Sequence, residues 1–125
     1  MQELLGTYSI SKEVVSEVNV DIKEVGLKSI VPIGLLLNEL VSNSLEHGFK
    51  QIKIGEINID VSEDADNIII KYADNGLWEE NLINEKQSFG LELIDLLTEQ
   101  LEGNKELTRT ANGTFYKFTL KNLDH

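Results

Sequence analysis

The chain has no cysteine, and only one proline, one methionine and one tryptophan among its 125 residues. Without cysteine there are no disulfides, no thiolate metal sites and no cysteine nucleophile, and the composition agrees with a cytoplasmic address. Positive charge is scarce too. Eleven Lys and Arg stand against 22 Asp and Glu, a formal net charge of −11. Such a chain repels polyanions at long range, so nucleic-acid binding is not expected. A small anion would have to be held by local amides, a metal ion or a single cation. Long apolar runs are absent as well. Val31 to Leu37 is strongly apolar but is broken by Asn38 and Glu39, so direct membrane contact is not expected. There is no signal-peptide pattern, no internal repeat and no low-complexity linker. What is present is a globular balance, 41% hydrophobic and 26% charged, in a length that suits one domain, residues 1–125, with a single core.

The densest pattern is PIGLLLNELVSNSLEHGFK, Pro32 to Lys50. Ile33, Leu36, Leu37, Leu40, Val41, Ser44 and Leu45 follow the i, i+3, i+4, i+7 rule of an amphipathic helix. Pro32 suits a first helical position and Gly48 a C-terminal stop. At about 100° per residue, Glu39, Asn43 and His47 fall on a second stripe, at the border of the apolar face. A carboxylate, an amide and an imidazole one turn apart are unusual on a plain solvated border.

Before this helix, Val18, Val20 and Ile22 alternate with polar residues and predict a short strand. Ser11 to Ser16 reads as a connector and Glu24 to Ser29 as a polar turn. After the helix, Ile57, Ile59 and Val61 form a second alternating run, and Ile68, Ile70 and Tyr72 a third. The EDADN stretch from Glu63 to Asn67 marks the turn of a hairpin between them. Strand parity puts Asp74 on the face of Ile68, Ile70 and Tyr72, aimed at the core. Leu77 to Phe89 reads as a loop. From Gly90 a second helix carries Leu91, Leu93, Ile94, Leu96, Leu97 and Leu101, apolar around most of its circumference. Lys105 to Thr110 and Thr114 to Leu120 read as strands joined by an Asn112-Gly113 turn. The order β, α, β, β, loop, α, β, β lacks the alternation of a doubly wound fold, and no GxxxxGK[ST] loop is present. It predicts an α+β fold, a mixed and mostly antiparallel sheet with helices on one face.

Four stretches together carry a resemblance: NELVSNSLEHGF (Asn38 to Phe49), DNG (Asp74 to Gly76), SFGLELIDLLTEQLEG (Ser88 to Gly103) and NGTFYKF (Asn112 to Phe118). In this order and spacing they resemble the nucleotide-binding boxes of the GHKL ATPases. More narrowly, they look like the ATP-binding domain of sensor histidine kinases, in the HWE-like branch with a short lid. The resemblance covers roughly residues 18 to 120.

It implies a two-layer α/β sandwich, the Bergerat fold, with Mg-ATP as the bound nucleotide. Asn43 would be the Mg²⁺ ligand, Glu39 the catalytic residue that helps the incoming nucleophile, and Asn38 a supporting residue. Asp74 would accept from the exocyclic amine of adenine. Guanine presents a carbonyl there, and two facing acceptors leave a buried charge unsatisfied. Gly76 would let the backbone approach the base, and Thr114 would reach the same adenine edge. Ser88, Gly90 and Leu91 would place a helix start and its free N–H groups near phosphate. His47 reads equally as a phosphate-side contact or a satisfied structural histidine.

The resemblance further implies partners outside this sequence: a histidine phosphoacceptor and dimerisation domain and, indirectly, a response regulator. Residues 1–10 would be the remnant of a preceding dimerisation helix. The chain departs from the family pattern at three positions. Trp78 stands where DxGxG has its second glycine, Ser88 where the second box often opens with glycine, and Glu46 where a basic residue is frequent. Two rivals follow: a degenerate interaction module with a decayed pocket, and a stand-alone protein like the anti-sigma serine kinases.

Overall fold

The structure, a computed structural model, describes residues 13–77 and 85–124, without the side chains of 85–88. The expected helix remnant at residues 1–10, Trp78 and the Ser88 side chain lie outside the described residues. The elements are β1 (Glu13–Asp21), α1 (Leu27–Asn43) running into a π-helical turn (Ser44–Gly48), β2 (Ile54–Asp64), β3 (Asn67–Asp74), α2 (Glu85–Gln100), β4 (Asn104–Thr110) and β5 (Gly113–Lys121). They form an α+β fold around one five-stranded sheet of order β1-β2-β3-β5-β4. β1 runs parallel to β2 and every other neighbouring pair is antiparallel. The single parallel pair is the one joined through α1, as it must be, because two parallel neighbours need a crossover.

Alternation along the strands decides which face is covered. On β3, Ile68, Ile70, Tyr72 and Asp74 are buried, while Lys71 is exposed. They join Ile57, Ile59, Val61, Tyr116, Phe118 and Leu120 from the neighbouring strands in one core. Ile33, Leu36, Leu40 and Val41 of α1 and Ile94 and Leu97 of α2 close that core from the helix side. Each large apolar side chain buried this way contributes roughly 1.5–3 kcal/mol.

Two boundaries in the first part of the chain differ from the sequence expectation. β1 starts at Glu13, where a connector was expected. As an edge strand it pairs only with β2, so its apolar alternation is weak, and Val18 and Val20 stay exposed. Helix α1 starts at Leu27, which leaves Pro32 inside the helix instead of at its first position. A helix usually needs partners for its first N–H groups. Here they come from the far end of the chain. The Lys28 and Ser29 amides donate to the Asp124 carboxylate at 3.3 and 3.1 Å, and the Leu123 amide donates to Ser29 Oγ at 2.8 Å. Buried Asn122 completes the clasp by donating to the Glu24 carbonyl at 2.9 Å.

A distant carboxylate that caps a helix and meets its positive dipole end is worth about 1 kcal/mol. Asp124→Ala is therefore expected to lower unfolding stability by about that amount. Urea denaturation checks it, and an unchanged midpoint would show that the cap contributes nothing.

Candidate functional site

The site is built where the C-terminal end of α1 meets the ends of β3 and β5. Asp74 closes β3, directly opposite Thr114 on β5. The residue is 8% exposed, and both of its carboxylate oxygens accept hydrogen bonds. Oδ1 accepts from the Gly76 amide at 2.9 Å and the Thr114 amide at 3.3 Å. Oδ2 accepts from Ser44 Oγ at 2.6 Å. Burying a carboxylate is tolerable only when hydrogen bonds replace water, and these three do so.

Ser44 in turn lies 2.5 Å from the Tyr72 hydroxyl, which is also 3.1 Å from the Leu40 carbonyl. Burial pushes the Tyr72 phenol far above its ordinary range, with the nearby Asp74 charge adding to the shift and the Ser44 hydrogen bond opposing it. Tyr116 is raised for the same first reason, burial, opposed by the Arg109 charge. Both phenols therefore stay protonated.

The turn after Asp74 is strapped to the end of α1. The Leu77 amide donates to the Gly48 carbonyl at 2.8 Å, and a Cβ on Gly76 would come within 2.7 Å of that oxygen. Gly76 thus permits close approach to the Gly48 backbone. Gly113 is needed more strictly. Its φ is +141° and a Cβ there would lie 1.9 Å from the Asp74 carbonyl.

Asn38, Glu39, Ser42 and Asn43 of α1, with Glu46 and His47 of the π-helical turn, line a cleft of about 310 Å³, closed on the other side by Phe89 and Gly90 of α2. The expected stripe of Glu39, Asn43 and His47 is therefore gathered at one place. Asn38, expected as a supporting residue, lines the cleft with them. Glu39 Oε2 and Asn43 Oδ1 converge on Gly90, 3.0 and 3.6 Å from where a Cβ would sit. Gly90 thus lets α2 pack closely on both side chains, and the Asn43 carbonyl oxygen is a ligand type that Mg²⁺ accepts. Among the described residues no three His, Asp or Glu side chains form a metal cluster. Glu46 and His47 approach each other at 3.6 Å on the cleft wall.

Asn43 joins the two halves of the site. Besides the cleft it lines a niche of about 10 Å³ together with Leu40, Ser44, Tyr72, Asp74, Arg109, Thr114 and Tyr116. That is about the volume of one water. A broader concavity of about 690 Å³ lies on the other face of the sheet. There Asp60 stands opposite Lys71, and Glu106 opposite Lys117, in strand register.

Sequence reasoning placed Ser88 to Leu91 at a helix start. In the structure α2 begins at Glu85, because Glu85, Lys86 and Gln87 are good helix formers and extend it by a turn. The amides of 88–91 are thus inside the helix. Gly90 packs on Glu39 and Asn43, and Leu91 packs against the core. The residues missed as site members are Ser44, Tyr72 and Arg109. Ser44 left a signal, a hydroxyl in the middle of an apolar stripe. Tyr72 left one too, a phenol on the inward face two residues before Asp74.

No family model matches this sequence, and no curated protein does. Solved structures do match the fold. The histidine kinase domain of the Erythrobacter litoralis EL346 blue-light activated histidine kinase superposes with a TM-score of 0.79 at 20% identity, over 96% of this chain and 57% of that one. The Acinetobacter baumannii histidine kinase AdeS gives 0.73 at 16% identity, over 97% and 60%. Full-length ShkA, solved in complex with AMPPNP, gives 0.70 at 14% identity, over 94% and 27%. The chain therefore has the fold of histidine kinase catalytic, ATP-binding domains, and it spans a little over half of the first of these structures. Among the described residues no helix is long and apolar enough to cross a membrane.

The buried phenols give a pH signature. Their folded-state pKa values lie above the unfolded value of about 10, so their contribution to stability is complete below about pH 10 and is lost as pH rises above it, where the unfolded chain releases the proton first. Melting temperatures measured from about pH 8 to about pH 11 should fall steeply at the alkaline end. Tyr72→Phe should flatten that fall, and an unaltered slope would contradict the burial argument.

Proposed function

We propose that this chain is the ATP-binding catalytic domain of a sensor histidine kinase. It would bind Mg-ATP and donate the γ-phosphoryl group to a histidine on a separate phosphoacceptor and dimerisation domain, in two-component signalling. A response regulator would be the indirect partner. The observation that carries this reading is the joint at Asn43: the residue lines both the Asp74 niche and the cleft containing Glu39. A base-recognising carboxylate and a phosphate-side oxygen pair thus meet at one side chain. The fold shared with histidine kinase domains, one of them solved with AMPPNP, supports the same conclusion.

Each residue then has a task. Asp74 accepts the exocyclic amine of adenine, with Thr114 beside it on the same edge. Asn43 would hold Mg²⁺, which when bound neutralises charge on the phosphate oxygens and fixes their position. Glu39 takes the proton of the incoming imidazole or orients it, help that typically contributes about 10²–10⁴-fold. Asn38 and His47, which line the same cleft, would contact phosphate oxygens. Catalysis on this plan is mainly positioning and charge neutralisation.

The carboxylate of Glu46 on the cleft wall favours a second reading. With Glu39 it makes the phosphate side acidic, and a chain of net charge −11 adds no long-range attraction. A weakly binding interaction module would have the same appearance.

Calorimetric titration separates the two. Mg-ATP is expected to bind and Mg-GTP not to, with Asp74→Asn weakening ATP by about 10–100-fold through loss of a charged hydrogen bond. Absence of heat at millimolar ATP, with an unshifted melting temperature, would sink the kinase reading and leave the second. Glu39→Gln should keep ATP binding while phosphotransfer to a supplied phosphoacceptor domain drops by about 10²-fold or more.

A further inference from the structure

We propose that Ser44 and Tyr72 are specificity-determining residues, acting through Asp74 to make the site select a purine that carries its exocyclic amine where guanine has a ring carbonyl. The inference rests on the ATP reading above and adds to it the means by which the base is chosen.

The direction of the hydrogen bonds follows from counting protons. Ser44 Oγ carries one hydrogen. Its contact with Asp74 Oδ2 is 2.6 Å and its contact with the Leu40 carbonyl is 3.2 Å. The shorter bond, to an ionised acceptor, is the stronger one. The Ser44 hydrogen therefore points at Asp74, and in the 2.5 Å contact between Ser44 and Tyr72 the phenol is the donor, that contact being much shorter than its 3.1 Å alternative to the Leu40 carbonyl. Burial keeps that phenol protonated. The result is a one-way chain, from Tyr72 O–H to Ser44 Oγ and from Ser44 O–H to Asp74 Oδ2.

The same counting shows what is left for a ligand. Each carboxylate oxygen accepts about two hydrogen bonds. Oδ1 is filled by the Gly76 and Thr114 amides. Oδ2 has taken one, from Ser44, and keeps one lone pair. The site thus offers a ligand a single acceptor position. An exocyclic amine fills it with one N–H, whereas a ring carbonyl at that place faces an oxygen that has nothing to give. Because every other direction around the carboxylate is occupied by a donor, Asp74 cannot rotate to relieve the conflict without breaking a bond to a charged group. Ser44 supplies the only bond on Oδ2 among the described residues, so it fixes where the free lone pair points. Tyr72 holds Ser44 in turn.

The test compares ATP with the triphosphate of purine riboside, which lacks only the exocyclic amine. Both are titrated with Mg²⁺ into the wild-type chain, Ser44→Ala, Ser44→Thr and Tyr72→Phe. Wild type should prefer ATP by roughly tenfold or more, the worth of one hydrogen bond to a charged group. In Ser44→Ala the preference should shrink to about threefold or less, while affinity for the analogue stays within about twofold of wild type. A merely structural role would weaken both ligands alike. Ser44→Thr keeps the hydroxyl and should restore the preference, and Tyr72→Phe should reduce it by less than Ser44→Ala. In an Asp74→Asn background, Ser44→Ala should change the ratio no further. A ratio that survives Ser44→Ala in a protein that still binds ATP overturns the inference and leaves the ATP reading standing. A wild-type chain that binds neither ligand overturns the ATP reading itself, and the inference with it.

Discussion

The carboxylate of Asp74 sits between the helix layer and the sheet, and three separate stretches of chain must meet to satisfy it. Ser44 comes from the end of α1, the Gly76 amide from the turn after β3, and the Thr114 amide from the start of β5. A buried carboxylate lacking any of these would keep an uncompensated charge, at a cost of several kcal/mol. The rest of the geometry follows from this meeting point. Gly48 and Gly76 must touch backbone to backbone, Gly113 must adopt a positive φ, and the helix end opens into a wider turn at Ser44–Gly48.

That wider turn has a consequence for the second half of the site. Helices that carry a π-type turn often do so at functional positions. Here it lies immediately after Asn43, between the residues that face the cleft and the strap to Leu77. Glu39 and Asn43 remain on regular helix, the more rigid platform, and converge on Gly90. The Asp74 niche and the Glu39 cleft are therefore not independent pockets. They are consecutive turns of one helix, so a movement of α1 against the sheet alters both together. At the opposite end of α1, the Asp124 and Asn122 clasp ties the same helix to the end of β5.

Much of this was legible from residues alone. The alternation of Ile68, Ile70 and Tyr72 placed Asp74 inward, and the structure buries it. The border stripe of Glu39, Asn43 and His47 lines one cleft, and the hairpin turns fall where EDADN and Asn112-Gly113 announced them. The misplaced boundaries share a cause. The start of α1 depends on a carboxylate 96 positions along the chain from Lys28, and β1 is held by parallel pairing with a strand some 40 residues away. Neither signal is local. The start of α2 was read too late because polar helix formers carry no apolar periodicity.

Periodicity and residue chemistry are properties of neighbours in sequence, so the sequence by itself determined which side chains share a face: the apolar stripe of α1, the inward parity of Asp74 and Thr114, the grouping of Glu39 with Asn43. Which donors reach the Asp74 carboxylate was decided only by the tertiary structure. Ser44 and Tyr72 carried polar atoms on inward faces, but their common partner was set only when α1 was laid on β3. Hydrogen bonds act over about 3 Å, and that distance between residues 28 or more positions apart exists only once the helix and the sheet are packed together.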